Sequence, residues 1–367
     1  MKRFFYFPLF LLIMLFSSCL IDIPGSNINN TEIITPPVIN SNIPSSVASL
    51  ITVSDSILDE NILLSNEFAK VYTIAKSSLH LAFTDITKFQ NKWYIVSRFS
   101  EDHGPREFGH IIIFKGDNLL KWELDEIFMQ NEYDLRDPKI FVTDNSLHLH
   151  FHSTIINPYG LIRNDYISRY NNKSVEWETA KKINKHTSEK SWFWRIGYEN
   201  LNYFTVSYMT NEPLRYFTSK DGLNFDFVRE FKIREGLAEP TIRFVGKDIF
   251  MLIRDTKGKA LLGRSDDIME DWKFKELPLI NFGGPNLIAY ENFLIISGRD
   301  DHKTKLFSYN TYSEEFKELF VLPSYGENGY PGMFIDQDRL YMSYYAGPHK
   351  GDFLINIAEI DLSTILK

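Results

Sequence analysis

Between Phe68 and Ile360 apolar and polar positions alternate in short runs, and no stretch of this body carries an apolar stripe at helical spacing. Alternation at period two marks a half-buried strand, because successive side chains leave a strand on opposite faces. The runs also repeat. Six segments open on a polar or small residue, often followed by Pro, and continue as a short apolar strand, a turn and a second strand rich in aromatics. They open at Asp85, Asp137, Arg195, Glu239, Gly284 and Tyr330, 44 to 58 residues apart. Second strands are predicted over 93–98, 147–152, 203–208, 249–254, 293–299 and 340–345. In all but the last, a third strand and a turn follow, ending on Trp122, Trp177, Phe225, Trp272 and Phe316.

Four strands per unit at this period predict an all-β fold, a six-bladed β-propeller. The last unit is one strand short after 354–360, while 68–75 is a spare strand ahead of the first unit. The N-terminal strand is therefore expected to complete the last blade and close the ring, which removes an exposed edge. A length of 367 residues would allow two domains; the repeat makes it one ring, residues 51–367.

The chain begins differently. Met1–Arg3 carry positive charge, Phe4–Phe16 form an apolar run broken by Pro8, and Ser17-Ser18-Cys19 follow. This order reads as a secretory signal over 1–18 and is too short for a membrane span. Phe16-Ser17-Ser18-Cys19 resembles a bacterial lipobox, which implies cleavage before Cys19, lipidation there, and a protein held in the cell envelope, at the outer membrane or cell surface. Residues 19–50, rich in Asn, Ser, Pro and Ile, read as a flexible tether. Cys19 is the sole cysteine, which excludes a disulfide framework, a zinc-thiolate site and a dithiol redox centre. A net charge of −8 argues against a nucleic-acid partner. The expected state is a monomer without cofactor or metal.

In a propeller blade, the loop entering the first strand and the loop leaving the second lie on one face of the disc. Asp85, Asp137, Arg195, Glu239, Asn286 and Tyr330, with Arg98, His152, Tyr208, Arg254, Arg299 and Tyr344, should converge over the channel. Burying charge at a channel mouth is costly, so a set this polar points to a binding or catalytic role; blade-to-blade ion pairing is the structural alternative. His103 leaves the first blade toward the same face in the loop Glu101-Asp102-His103-Gly104. His148, His150 and His152 share one face of a strand, an arrangement that suits packing better than convergence on one ion. Trp192, Trp194, Tyr344 and Tyr345 would suit stacking on sugar rings.

The body resembles the sialidase-like, Asp-box (BNR-repeat) six-bladed propellers, and within them a bacterial glycoside-hydrolase-like group. Ser219-Lys220-Asp221-Gly222-Leu223-Asn224-Phe225 is similar to a shortened Asp-box turn and Ser265–Trp272 to a degenerate one. Further shared stretches are Asp134-Leu135-Arg136-Asp137-Pro138-Lys139, Trp194-Arg195, Glu239-Pro240-Thr241, Gly283-Gly284-Pro285-Asn286 and Tyr330-Pro331-Gly332. The resemblance implies Tyr330 as nucleophile with Glu239 as its partner, and Arg254 and Arg299 as part of an arginine clamp on the substrate. The chain departs from the pattern in blade one, where Phe83-Thr84-Asp85 stands in place of an Arg. The clamp is whole only if Arg98, Arg136 or Arg195 substitutes.

Cleaving a glycoside needs an acid for the leaving oxygen and a nucleophile or base on the other face. A phenol, with a free pKa near 10, needs a carboxylate to take its proton, which pairs Tyr330 with Glu239. Asp85 and Asp137 are the candidate acids, since burial or a neighbouring carboxylate raises a carboxyl pKa. Arg98, Arg136, Arg195, Arg254 and Arg299, with His103, Asn286 and Tyr344, are the candidate substrate contacts. The reading is a carbohydrate-active hydrolase for a glycan. Its alternatives are a polysaccharide lyase acting beside a uronate and a glycan-binding lipoprotein without catalysis.

Overall fold

Each alternating segment folds as an antiparallel meander, and the meanders stand as six blades around a channel. The computed structural model describes residues 37–40, 43–54, 61–104, 109–157, 160–185, 191–209 and 211–367; the stretch read as a signal, Cys19 and most of the stretch read as a tether lie outside them. Blade 1 holds His80–Phe89, Lys92–Ser100, His110–Asn118 and Lys121–Met129. Blade 2 holds Asp134–Val142, Leu147–Asn157 and Gly160–Asn171, with Glu176–Trp177 and Lys181–Lys182 sharing the outer position. In blade 3 the inner strand is broken into Trp192–Phe193 and Gly197–Glu199, both on Asn202–Tyr208, followed by Leu214–Ser219 and Asn224–Phe231. Blade 4 is Leu237–Val245, Asp248–Asp255, Lys259–Ser265 and Lys273–Ile280, and blade 5 is Gly283–Tyr290, Phe293–Asp300, Lys303–Asn310 and Phe316–Val321.

The ring closes as expected. Blade 6 contains Glu327–Asp336, Arg339–His349 and Asp352–Asp361, and its outer strand is the N-terminal Ala69–Ser77, antiparallel to Asp352–Asp361. Tyr72 Oη donates to Glu359 at 2.9 Å and Thr73 Oγ1 to Asn356 Oδ1 at 2.9 Å across this seam. The end of the stretch read as a tether is part of the fold. Val38–Asn40 adds a fifth strand to blade 1 beside Lys121–Met129, a short helix covers Ser45–Ala48, and Ile51–Val53 pairs with Ala69–Ser77. A strand edge left bare recruits partners, and Val38-Ile39 and Ile51 are β-formers that cover two of them.

The core lies between blades. Tyr94, Val96, Ile111 and Phe128 of blade 1 pack on Ile140, Leu149 and Phe151 of blade 2, with the rings of Phe128 and Phe151 5.6 Å apart. Phe250, Leu252 and Leu262 of blade 4 meet Leu287, Leu294 and Ile296 of blade 5 in the same way. The aromatic share of 15% thus fills wedge-shaped gaps that widen from the axis outward. The turn Ser219–Asn224 is closed by its own side chains: Gly222 N donates to Ser219 Oγ, and Leu223 N and Asn224 N to Asp221 Oδ1.

Candidate functional site

The side chains at the channel mouth are presented by one local device, repeated. Five inner strands carry a register shift against their second strand, between Ala82 and Asp85, Arg136 and Lys139, Ala238 and Thr241, Gly283 and Asn286, and Gly329 and Gly332. A bulge of this kind re-aims one side chain off the sheet. The first bulged residue has a left-handed backbone in every case: Phe83, Asp137, Glu239, Gly284 and Tyr330, with φ between 49° and 62°. In four of the five the next residue is Pro, which the bulge accepts because its missing N–H would have had no ladder partner. Fifteen residues beyond each lies its partner at the end of the second strand: Arg98, His152, Arg254, Arg299 and Tyr345.

Tyr330, Glu239 and Arg254 meet over the channel. Tyr330 Oη donates to Glu239 Oε1 at 3.0 Å, and Arg254 Nη1 lies 2.7 Å from the same oxygen and 3.4 Å from the phenol. Glu239 Oε2 accepts from Gly284 N at 2.8 Å, so both carboxylate oxygens are fixed. Burial and the Glu239 carboxylate push the Tyr330 phenol well above its ordinary range, against the pull of Arg254 and Arg299. The phenol therefore keeps its proton and lends it to Glu239. Arg299 donates to the backbone oxygen of Asn328 at 3.2 Å and lies over the Tyr330 ring; among the described residues it has no carboxylate partner. Phe83 floors the mouth, its ring 4.9 Å from that of Tyr330 and 5.4 Å from the Arg136 guanidinium.

A second group sits beside it. Glu327 Oε1 accepts from Tyr345 Oη at 2.7 Å and lies 2.5 Å from His103 Nδ1 and 3.2 Å from His80 Nε2. Burial would raise the Glu327 carboxyl, but the bonds from His103 and His80 outweigh it and hold it well below the carboxylate range. These three side chains could also be read as a metal triad, their ligand atoms lying within 4.8 Å of one another. Arg98 opposes that reading. Its Nη1 lies 3.3 Å from His80 Nδ1, and since a guanidinium only donates, His80 must accept there and carry its proton on Nε2, facing Glu327. A histidine so arranged offers no lone pair to an ion, and the neighbouring guanidinium repels one.

Several residues expected at the mouth have other tasks. Asp85 is 1% exposed and is held by Arg195 Nη1 at 2.7 Å and by Ile140 N at 3.0 Å. It lies two residues past the bulge residue Phe83, so it ties blades 1, 2 and 3 together and neither it nor Arg195 is free for substrate. Asn286 is placed likewise, two past Gly284, and donates to Pro331 O at 3.0 Å. Thr241 to Pro285 O and Thr84 to Tyr330 O continue the same belt. Tyr344 faces the opposite side of its strand from Tyr345 and donates to Pro323 O within the core between blades 5 and 6. Arg98 is fully buried against Asp134 at 2.8 Å. Asp137 does reach the mouth, where its carboxylate lies 3.4 Å from Arg136 Nε. Of the strand histidines, His150 and His152 pack on Asp165, while His148 stacks on Phe141.

Glu327, His80 and Phe83 are site residues that the sequence reading passed over, and Tyr345 was read only as a stacking platform. One signal for two of them was present: counting fifteen from the residue before each Pro leads from Tyr330 to Tyr345, and counting back from Arg98 leads to Phe83.

No protein-family model matches the chain, and no curated protein matches it by sequence. Among solved structures it is similar to Trypanosoma rangeli sialidase in complex with the inhibitor DANA, at a TM-score of 0.63 and 10% identity over 86% of this chain and 61% of that one. The covalent intermediate of the same sialidase with 2,3-difluorosialic acid aligns at a TM-score of 0.59, 10% identity, over 86% and 59%. NanB sialidase from Streptococcus pneumoniae aligns at 0.57 and 12% identity, over 84% of this chain and 73% of that one. The chain thus has the six-bladed propeller fold of these sialidases and spans about three fifths of the length of the Trypanosoma enzyme.

Proposed function

We propose that the protein is a sialidase-like glycoside hydrolase that cleaves a terminal acidic sugar at the mouth of the propeller. The observation that carries this reading is the Tyr330–Glu239 pair, 3.0 Å apart and bridged by Arg254. Glu239 takes the phenolic proton as Tyr330 Oη attacks the anomeric carbon, so that a neutral phenol acts as nucleophile without first ionising in bulk solution. The covalent species captured in the Trypanosoma enzyme supports a two-step route of this kind. Arg254 and Arg299 supply the charge for a carboxylate. Arg254 is half spent on Glu239, whereas Arg299, without an acidic partner among the described residues, is the guanidinium most available to an anion. Arg136, above Phe83, is placed to take the part of the arginine that blade 1 lacks. The substrate ring would rest on the half-buried Trp192, beside the Arg136 guanidinium, and lipidation at Cys19 would hold the site at the envelope surface.

The test is a screen of purified protein on 4-methylumbelliferyl glycosides of nonulosonic acids, uronic acids and neutral sugars. Turnover is expected with an acidic sugar, and Tyr330→Phe and Glu239→Gln are each expected to reduce it by at least ~10³-fold. Arg299→Met should raise KM ~10–100-fold, the range expected for losing one charged hydrogen bond. Turnover confined to neutral sugars, or kept by both Tyr330 and Glu239 variants, would sink the reading. Release of an unsaturated product absorbing in the ultraviolet would favour a lyase instead.

A further inference from the structure

The residue that trades protons with the leaving group is not settled by the nucleophile pair, and the carboxylates first expected to do so are bound elsewhere, Asp85 by Arg195 and Asp137 by Arg136. His103 is different. Its side chain is 43% exposed, its Nδ1 is held by Glu327, and its Nε2 makes no hydrogen bond to the described residues. Because Glu327 stays ionised, Nδ1 carries a proton and Nε2 is the atom left to gain or lose one.

The loop that bears it is built for position. Arg98 donates from Nη1 to Asp102 O at 2.8 Å and from Nη2 to Gly104 O at 2.9 Å. Ser100 Oγ donates to Asp102 O at 2.6 Å, and Gly104 N to Asp102 Oδ1 at 2.9 Å. Arg136 Nη2 lies 3.4 Å from His103 O. Two arginines, one of them wholly buried, are thus spent on the backbone either side of a single imidazole, a degree of fixation that suits a reacting group. The imidazole stands 5.3 Å from the Phe83 ring, which also packs against Tyr330 at 4.9 Å. His103 and the phenol therefore look onto one mouth across one ring.

We propose that His103, backed by Glu327, is the acid–base residue of the mouth, with Arg98, His80 and Tyr345 as positioning residues. This rests on the hydrolase reading above. In the first step the bond from the anomeric carbon to the leaving oxygen breaks, its electron pair stays on that oxygen, and His103 Nε2–H supplies the proton while Tyr330 Oη bonds to the carbon. In the second, water attacks the anomeric carbon, His103 Nε2 takes its proton, and Tyr330 departs with the proton returned by Glu239. The groups facing the imidazole are the Glu327 carboxylate, the neutral His80 ring and the Arg98 and Arg136 guanidiniums.

Two measurements test this. On the acidic sugar found by the screen, His103→Ala should lose ~10²–10⁴-fold in kcat/KM with an alkyl leaving group and less than ~10-fold in kcat/KM with 4-nitrophenol, which departs without help. A uniform loss across leaving groups, or no loss, overturns the proposal. Independently, the imidazole nitrogen-15 resonances of the intact protein should show His103 protonated at Nδ1, the atom that faces Glu327, and Glu327→Gln should abolish that preference; an unchanged tautomer in the variant overturns the dyad whatever the substrate. If no glycoside is turned over, the hydrolase reading fails and the acid–base role with it, while the tautomer measurement still decides whether Glu327 holds the imidazole.

Discussion

At the scale of single residues, the site depends on a position with no side chain. Four of the five bulge residues are not glycine, so a left-handed backbone alone does not demand Gly284. What demands it is proximity: a Cβ there would stand 2.6 Å from Tyr330 Cγ and 2.7 Å from Tyr330 Cα, while its N–H serves Glu239. Gly284→Ala should therefore displace the phenol. The left-handed conformation alone costs about 1–2 kcal/mol for alanine, and a 1 Å shift of a reacting group costs ~10²-fold in rate. The expected outcome is a folded protein with kcat down ~100-fold, read by kinetics and circular dichroism together; an unchanged kcat would mean that Tyr330 has slack. The same scale shows where sequence reading stops. Ionisable residues near strand ends were visible as a set, but a strand's two faces differ by one residue. A bulge shifts that parity, which turned Tyr344 into core and Asp85 into a tie while bringing Tyr345 and Phe83 to the mouth.

At the scale of elements, period-two alternation and a recurring aromatic made six units legible and let the missing outer strand of the sixth be supplied from the N-terminus. What the sequence did not show was the break in the blade 3 inner strand between Phe193 and Gly197, which takes the place of the bulge that the other five carry. The closing strand also sets a prediction. Ile74, in Ala69–Ser77, is wholly buried, whereas Ile280, at the outer edge of blade 4, is 67% exposed. Ile74→Asp puts a carboxylate into the seam joining the two ends of the chain and should cost more than ~4 kcal/mol, the range of a buried unpaired charge. Ile280→Asp should stay within about 0.5 kcal/mol. Thermal unfolding distinguishes them, and equal melting temperatures would show that the seam is not needed to hold the ring.

At the scale of the whole molecule, buried titratable groups make stability a function of pH with a readable sign. Burial lowers His110 and His148 to about 4, and Arg169 adds to the effect at His148. The unfolded chain takes these protons near 6.5 and the folded one only near 4, so each contributes stability that is lost as pH falls from 6.5 to 4. Glu126 opposes them: burial raises it to about 7, so its contribution is present below about 4.5 and lost as pH rises to 7. Burial lowers His152 to about 4 as well, and three histidines against one carboxyl leave a net fall toward acid. On the alkaline side, Lys139 is buried beneath the mouth with Arg195 nearby and is lowered to about 8. Below that pH the fold carries a desolvated ammonium, so stability should rise as pH climbs from 8 toward 10.5. Burial raises Tyr166 to about 12, and stability then falls above pH 10 as unfolded tyrosines ionise. Each uncompensated proton gives a slope of about 1.4 kcal/mol per pH unit. Denaturant unfolding between pH 4 and 10 should therefore show greatest stability between about 8 and 10. His148→Gln should flatten the acid limb and Lys139→Met the rise above 8. A Lys139→Met protein that still gains stability from pH 8 to 10 would remove this lysine as the cause and return the alkaline rise to groups outside the channel.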